Sequence, residues 1–78
     1  MSTFLINDIV VCNEDNHKRI TLKKSYKIIG LRNQYSFYIV DDKGMIDWYS
    51  QGLFFNVSES IRVLFKSAQI LKMFNDIL

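Results

Sequence analysis

The sequence predicts a mainly β domain closed by one C-terminal helix, an α+β chain forming a single domain over residues 1–78. Three observations carry this. Short runs of β-branched and aromatic residues recur between turn-forming residues from 4 to 55. At Asn56 the apolar spacing changes to a helical period. No repeat, linker or low-complexity segment separates the two regimes.

The elements follow in order. Ile9-Val10-Val11 is a β-branched run suited to a buried strand. NEDNHKR is a polar loop in which Asn13, Asp15 and Asn16 tolerate turn conformations. SYKIIGLR alternates around Tyr26, Ile28 and, after a shift, Leu31, with Gly30 marking a bulge or bend. SFYIV sends Phe37 and Ile39 to one face, Tyr38 and Val40 to the other. Asp41-Asp42-Lys43-Gly44 reads as a hairpin turn, and Gly44 can take the positive φ it needs. MIDWYS returns as the partner strand, Gln51-Gly52 breaks it, and Leu53-Phe54-Phe55 re-enters the core. That strand order implies a small, strongly bent antiparallel barrel over 4–55.

Residues 56–78 are expected to be helical. Asn56 and Glu59 have the spacing of a capping box, with Ser58 as a competing cap. Ile61, Leu64, Phe65, Ala68 and Leu71 make one apolar face, while Val63, Ile70 and Ile77 form a second stripe. Arg62, Lys66, Gln69, Lys72 and Asp76 occupy the remaining sector. The apolar sector covers well over half of the helix. A helix laid across one small barrel needs about a third of its circumference buried. The excess is expected to meet another chain or a second copy. The alternative is a helix sunk into its own core, for which a 78-residue chain has little surrounding material.

Composition narrows the class. A domain this short is marginally stable without a disulfide, a metal or a partner. Cys12 is the only cysteine, so no internal bridge can form, and a lone thiol without a secretion signal fits a reducing cytoplasm. No stretch approaches the length of a transmembrane span. The 49% hydrophobic fraction is too high for a disordered chain and rich for so small an interior. A net charge of +2 is weak support for a nucleic-acid partner, although His17-Lys18-Arg19, Lys23-Lys24 and Lys27 cluster locally.

Val11-Cys12, Leu22 through Ile29, Tyr38 through Gly44, and Trp48-Tyr49-Ser50 through Phe54 together resemble the small SH3-like barrel proteins of phages and prophages. The resemblance spans Asn7 to Phe54. It implies an SH3-like barrel with Asp41 to Gly44 as the distal hairpin turn, and host cytoplasm as the compartment. It implies no particular activity. The family's Leu-Thr order is here Thr21-Leu22, its glycine before the lysine is Lys23, and its basic residue after Tyr-Ser is Gly52. The helix lies outside the common pattern. On this reading Phe37, Ile39, Ile46 and one of Trp48 or Tyr49 pack the barrel, leaving Tyr35, Tyr38 and Tyr49 as outward candidates.

Catalytic, cofactor and metal sites are not expected. Cys12 is strand-like and His17, the single histidine, lies in the next loop, so neither a thiol–base pair nor a zinc site is argued from spacing. Asp41, Asp42 and Asp47 sit on a hairpin, where a solvated tip does not tune acid–base chemistry. The glycines are scattered, so no phosphate loop is present. The expected function is a non-enzymatic protein-binding module, a phage or prophage accessory protein that engages and inhibits a host or defence protein. Val63, Ile70, Met73 and Ile77 are the candidate contact residues, with Trp48 or Tyr49 as aromatic anchor. Two alternatives stand beside it. One is a nucleic-acid-binding barrel using Lys23, Lys24, Lys27 and Arg32 near Tyr26 and Tyr35. The other is a homodimer paired through the helix.

Overall fold

The computed structural model describes residues 3–66. Among these, six strands form two antiparallel sheets, and a helix begins at residue 57. The strands are β1 (Ile9–Cys12), β2 (Ser25–Lys27), β3 (Gly30–Asn33), β4 (Ser36–Val40), β5 (Ile46–Ser50) and β6 (Phe54–Asn56). One sheet has the order β2-β1-β6 and the other β3-β4-β5. The helix, α1, is described over residues 57–66. The mainly β, α+β organisation therefore holds, but the sheets do not join into a closed barrel.

The reason lies in two short segments. Between β2 and β3, Ile28 N–H donates to Asp8 carbonyl in one sheet, while Ile29 N–H donates to Tyr38 carbonyl in the other. Adjacent residues thus serve opposite sheets, and the bend falls at 28–29, just before Gly30. Between β5 and β6 the 3₁₀ turn Gln51–Leu53 interrupts pairing, held by Ser50 Oγ accepting from Gly52 N–H.

The core is Val10, Cys12, Ile20, Tyr26, Ile28, Phe37, Ile39, Tyr49 and Phe54. Phe54 is its hub, with Phe37, Tyr26 and Tyr49 rings centred 5.2, 6.0 and 6.3 Å away. Register decides which β5 residues join it. Phe37 pairs with Tyr49 and Ile39 with Asp47, so odd-numbered residues of β5 turn inward. Tyr49 is buried. Ile46 is 67% exposed, contrary to its expected place in the core. Tyr49 is likewise removed from the outward candidates, while Tyr35 remains exposed and Tyr38 is half-buried.

The β4–β5 turn forms as the sequence implies. Gly44 has φ +77°, and the buried Asp41 accepts from the N–H groups of Lys43 and Met45 at 3.0 Å each. Besides Asn7 at φ +74°, the other left-handed non-glycine among the described residues is Lys23, at φ +65°. It is the position at which the family resemblance expects glycine.

Candidate protein-docking surface

The helix is attached at its start by side chains, not by an apolar face. Asn56 is the N-cap: its Oδ1 accepts from Glu59 N–H at 3.0 Å. Its amide nitrogen donates to Thr3 carbonyl at 2.8 Å and to Asp8 Oδ2 at 2.9 Å. Glu59 does not complete the box. Its carboxylate accepts instead from Thr3 N–H at 2.7 Å. Ser58 is not the cap; its Oγ accepts from Ile9 N–H at 2.8 Å.

Asp8 is the centre of this attachment. Its carboxylate is buried and accepts from Leu5 N–H at 3.0 Å, from Asn56, and from both terminal nitrogens of Arg62 at 2.6 and 3.0 Å. The Arg62 bonds are the main reason its pKa falls to about 2. Burial opposes them, and Asn56 and Leu5 add to them. The same bonds raise the pKa of Arg62. Arg62, expected on the solvent side, is thus the residue that holds the helix to Asp8, just before β1.

That contact sets the orientation of the helix. At about 100° per residue, Ile61 and Leu64 lie on the side away from Glu59 and Arg62, while Phe65, three residues after Arg62, flanks it and Val63 flanks Glu59. The polar sector faces the β domain. The stripe expected to pack on the β domain is left open: Ile61, Leu64 and Phe65 are 60%, 69% and 63% exposed. Val63 of the second stripe is 58% exposed. Ile70, Met73 and Ile77 lie outside the described residues.

A second apolar surface lies on the outer face of the β3-β4-β5 sheet. Tyr38 opposes Trp48 and Val40 opposes Ile46. Val40, Ile46 and Trp48 are exposed, and Met45 continues the patch at the turn. Of the two candidate anchors only Trp48 is on the surface; Tyr49 belongs to the core. The Arg32 guanidinium lies 4.0 Å from the Trp48 ring centroid. The free edge of β5 is blunted by Asp47. Its Oδ1 accepts from Trp48 N–H at 2.8 Å and its Oδ2 from Arg19 at 2.9 Å.

The basic cluster is not brought together as one open patch. Lys24 is paired with Asp42 at 2.6 Å and lies over the Tyr26 ring. Asp42 also accepts from Thr21 Oγ1 at 2.5 Å and Tyr26 hydroxyl at 2.7 Å. Lys24 first, then Thr21 and Tyr26, hold its pKa down to about 2. Arg32 is occupied by Trp48, and Lys23 and Lys27 are exposed. This ties the 13–24 loop to the β4–β5 turn. Asp42 N–H reinforces it by donating to Arg19 carbonyl.

Cys12, His17, Tyr49 and Asp41 also have structural partners. Cys12 is buried, its Sγ 3.4 Å from both the N–H and the carbonyl of Glu14. His17 Nδ1 accepts from Arg19 N–H at 3.1 Å, and its ring meets the edge of Tyr49. Tyr49 hydroxyl donates to Asp41 at 3.2 Å, and burial first, then this carboxylate, pushes its pKa to about 12. Burial alone would raise Asp41, but donors from Met45, Lys43 and Tyr49 outweigh it and its pKa is lowered. Among the described residues no cluster of His, Cys, Asp or Glu is arranged to hold a metal ion. No helix among them is long and apolar enough to cross a membrane.

No protein-family model matches this chain, and neither a curated protein nor a solved structure is found similar to it.

Asp8 and Arg62 escape a sequence reading because they lie 54 positions apart and each alone resembles a solvated charge. The Val40–Ile46 pair was legible only once the parity of β5 was known. The cap Asn56 was legible directly, because its bond closes within four residues.

Proposed function

We propose that this chain is a non-enzymatic protein-binding module that presents its C-terminal helix to a partner. One observation carries the reading. Ile61, Val63, Leu64 and Phe65 are 58–69% exposed on a helix whose polar side is already committed to the β domain. An apolar helix face held outward in this way is the complement of a hydrophobic groove. Trp48 on the neighbouring sheet is a second anchor of the type that dominates binding energy.

The β domain is proposed to be SH3-like, in keeping with the phage and prophage proteins its sequence resembles. Two positive-φ positions support this. Gly44 closes the turn where the pattern has glycine, and Lys23 takes a left-handed conformation at the pattern's other glycine. The biological role is then that of a small accessory protein that occupies, and so inhibits, a host protein.

The test compares the immobilised full chain with a Leu64→Asp variant in host-cell lysate at low and high salt. The reading expects a protein captured by the wild type in both salts and lost with the variant. An apolar contact hardly responds to salt, whereas phosphate contacts weaken steeply. Equal capture by both chains would refute it.

A further inference from the structure

Among the described residues, two of the exposed apolar surfaces differ in shape. One is the convex stripe Ile61, Leu64 and Phe65 on α1. The other is the pleated face built by Tyr38, Val40, Ile46 and Trp48. Within one molecule they do not meet. Asn56, Ser58, Glu59 and Arg62 bind the helix start to Thr3, Asp8 and Ile9, beside the β2-β1-β6 sheet. Ile61 and Leu64 are thereby turned away from their own domain, with Phe65 at the border beside Arg62.

We infer that a second copy of this chain covers both surfaces: α1 of each copy lies on the outer β3-β4-β5 face of the other. The inference rests on the reading of α1 as a docking element and puts a second copy, in place of a host protein, on its apolar face. A helix stripe on a sheet face is a standard layered packing. Exchange in both directions gives a closed two-fold dimer in which no copy of either surface is left open. A different protein bound to the helix alone would leave Trp48 and Ile46 in water.

The areas agree with this. Val40, Met45, Ile46 and Trp48 are 45–67% exposed, and Ile61, Leu64 and Phe65 60–69%. Each surface then offers on the order of 400 Å², and two reciprocal contacts bury on the order of 1,600 Å², the size of a stable specific interface. The stacked Arg32–Trp48 pair keeps the indole in one orientation before contact, which lowers the ordering cost.

The experiment uses the full chain, with Ile46→Asp, Leu64→Asp and an equimolar mixture of the two. Both positions are exposed, so circular dichroism should be unchanged; if either variant unfolds, Ile46→Ser and Leu64→Ser replace them. Mass is followed by light scattering across concentration. Trp48, the only tryptophan, reports burial through its emission. The wild type is expected to double in mass, with a blue shift of Trp48 emission. Each variant alone should be monomeric. The mixture should regain dimer mass at higher concentration, because one intact helix–sheet contact survives between unlike copies.

A wild type monomeric at all concentrations overturns the inference. So does a dimer lost with only one variant, or a mixture that fails to pair, since helix–helix and sheet–sheet dimers give those results. A monomeric chain that still captures another protein through Leu64 overturns the second copy as occupant and leaves the docking role of α1 standing.

Discussion

Replacing Asp8 with Asn tests what holds the helix to the β domain. The substitution keeps the shape of the side chain and removes its charge. It also turns one of two acceptor atoms into a donor. The native carboxylate receives the Leu5 N–H, the Asn56 amide and two Arg62 nitrogens, so the new amide must face at least one of these donors. Removing one partner of a fully buried ion pair costs about 3–5 kcal/mol. Arg62 is 42% exposed and regains water, so the loss is smaller. Charge-assisted hydrogen bonds contribute about 1.5–3 kcal/mol each when buried, and we expect a net loss of about 2 kcal/mol. In a domain of this size that lowers Tm by roughly 10 °C.

The pH dependence gives a second, sharper readout of the same change. Asp8 has a pKa of about 2 in the folded chain against an ordinary 3.8. A carboxylate depressed on folding stabilises the fold above its unfolded pKa, and this stabilisation is lost as pH falls through 4 toward 2. Asp41 and Asp42 are lowered too, but they are common to both proteins and cancel in the difference. The stability gap between wild type and Asp8→Asn should therefore be full at pH 6 and close progressively below pH 4. Denaturant melts followed by circular dichroism at several pH values measure it. A gap that is absent at pH 6, or that does not change with pH, would sink the assignment of Asp8 as the clasp.

Two further predictions concern the β domain. Lys23→Gly should stabilise it by about 0.5–1 kcal/mol in urea denaturation, because relief of left-handed strain exceeds the added flexibility of the unfolded chain; a loss of stability would show that the Lys23 side chain matters more than its backbone. Tyr49→Phe should cost about 1 kcal/mol through the lost bond to Asp41, and in the wild type one tyrosine should resist ionisation until about pH 12 in ultraviolet titration. Burial raises that phenol on folding, so stability should fall as pH rises above its ordinary value near 10.

Much of the fold was legible because its signals are local. The Asn56 cap, the Gly44 turn and the Phe37–Ile39 alternation each close within a few residues, so residue type and spacing suffice. The parity of β5 was not local. Ile46-Asp47-Trp48-Tyr49 offers apolar residues on both faces, and only pairing with β4 decides that Tyr49 enters the core while Ile46 and Trp48 leave it. The split into two sheets depended on which carbonyl each of Ile28 and Ile29 would find, a choice absent from their shared chemistry.

The helix makes the same point with functional consequence. Hydrophobic spacing identified Ile61, Leu64 and Phe65 as one face, and burial of apolar surface argued that this face should turn inward. It turns outward because the first turn is already bound through Asp8, Asn56, Glu59 and Arg62. A cap and an ion pair at the helix start fix its rotation before the next turns can choose a side. The apolar face is then left available for a second molecule. In a domain with too little interior to bury a whole helix, fixing the polar side first is what leaves the surplus hydrophobicity on the surface.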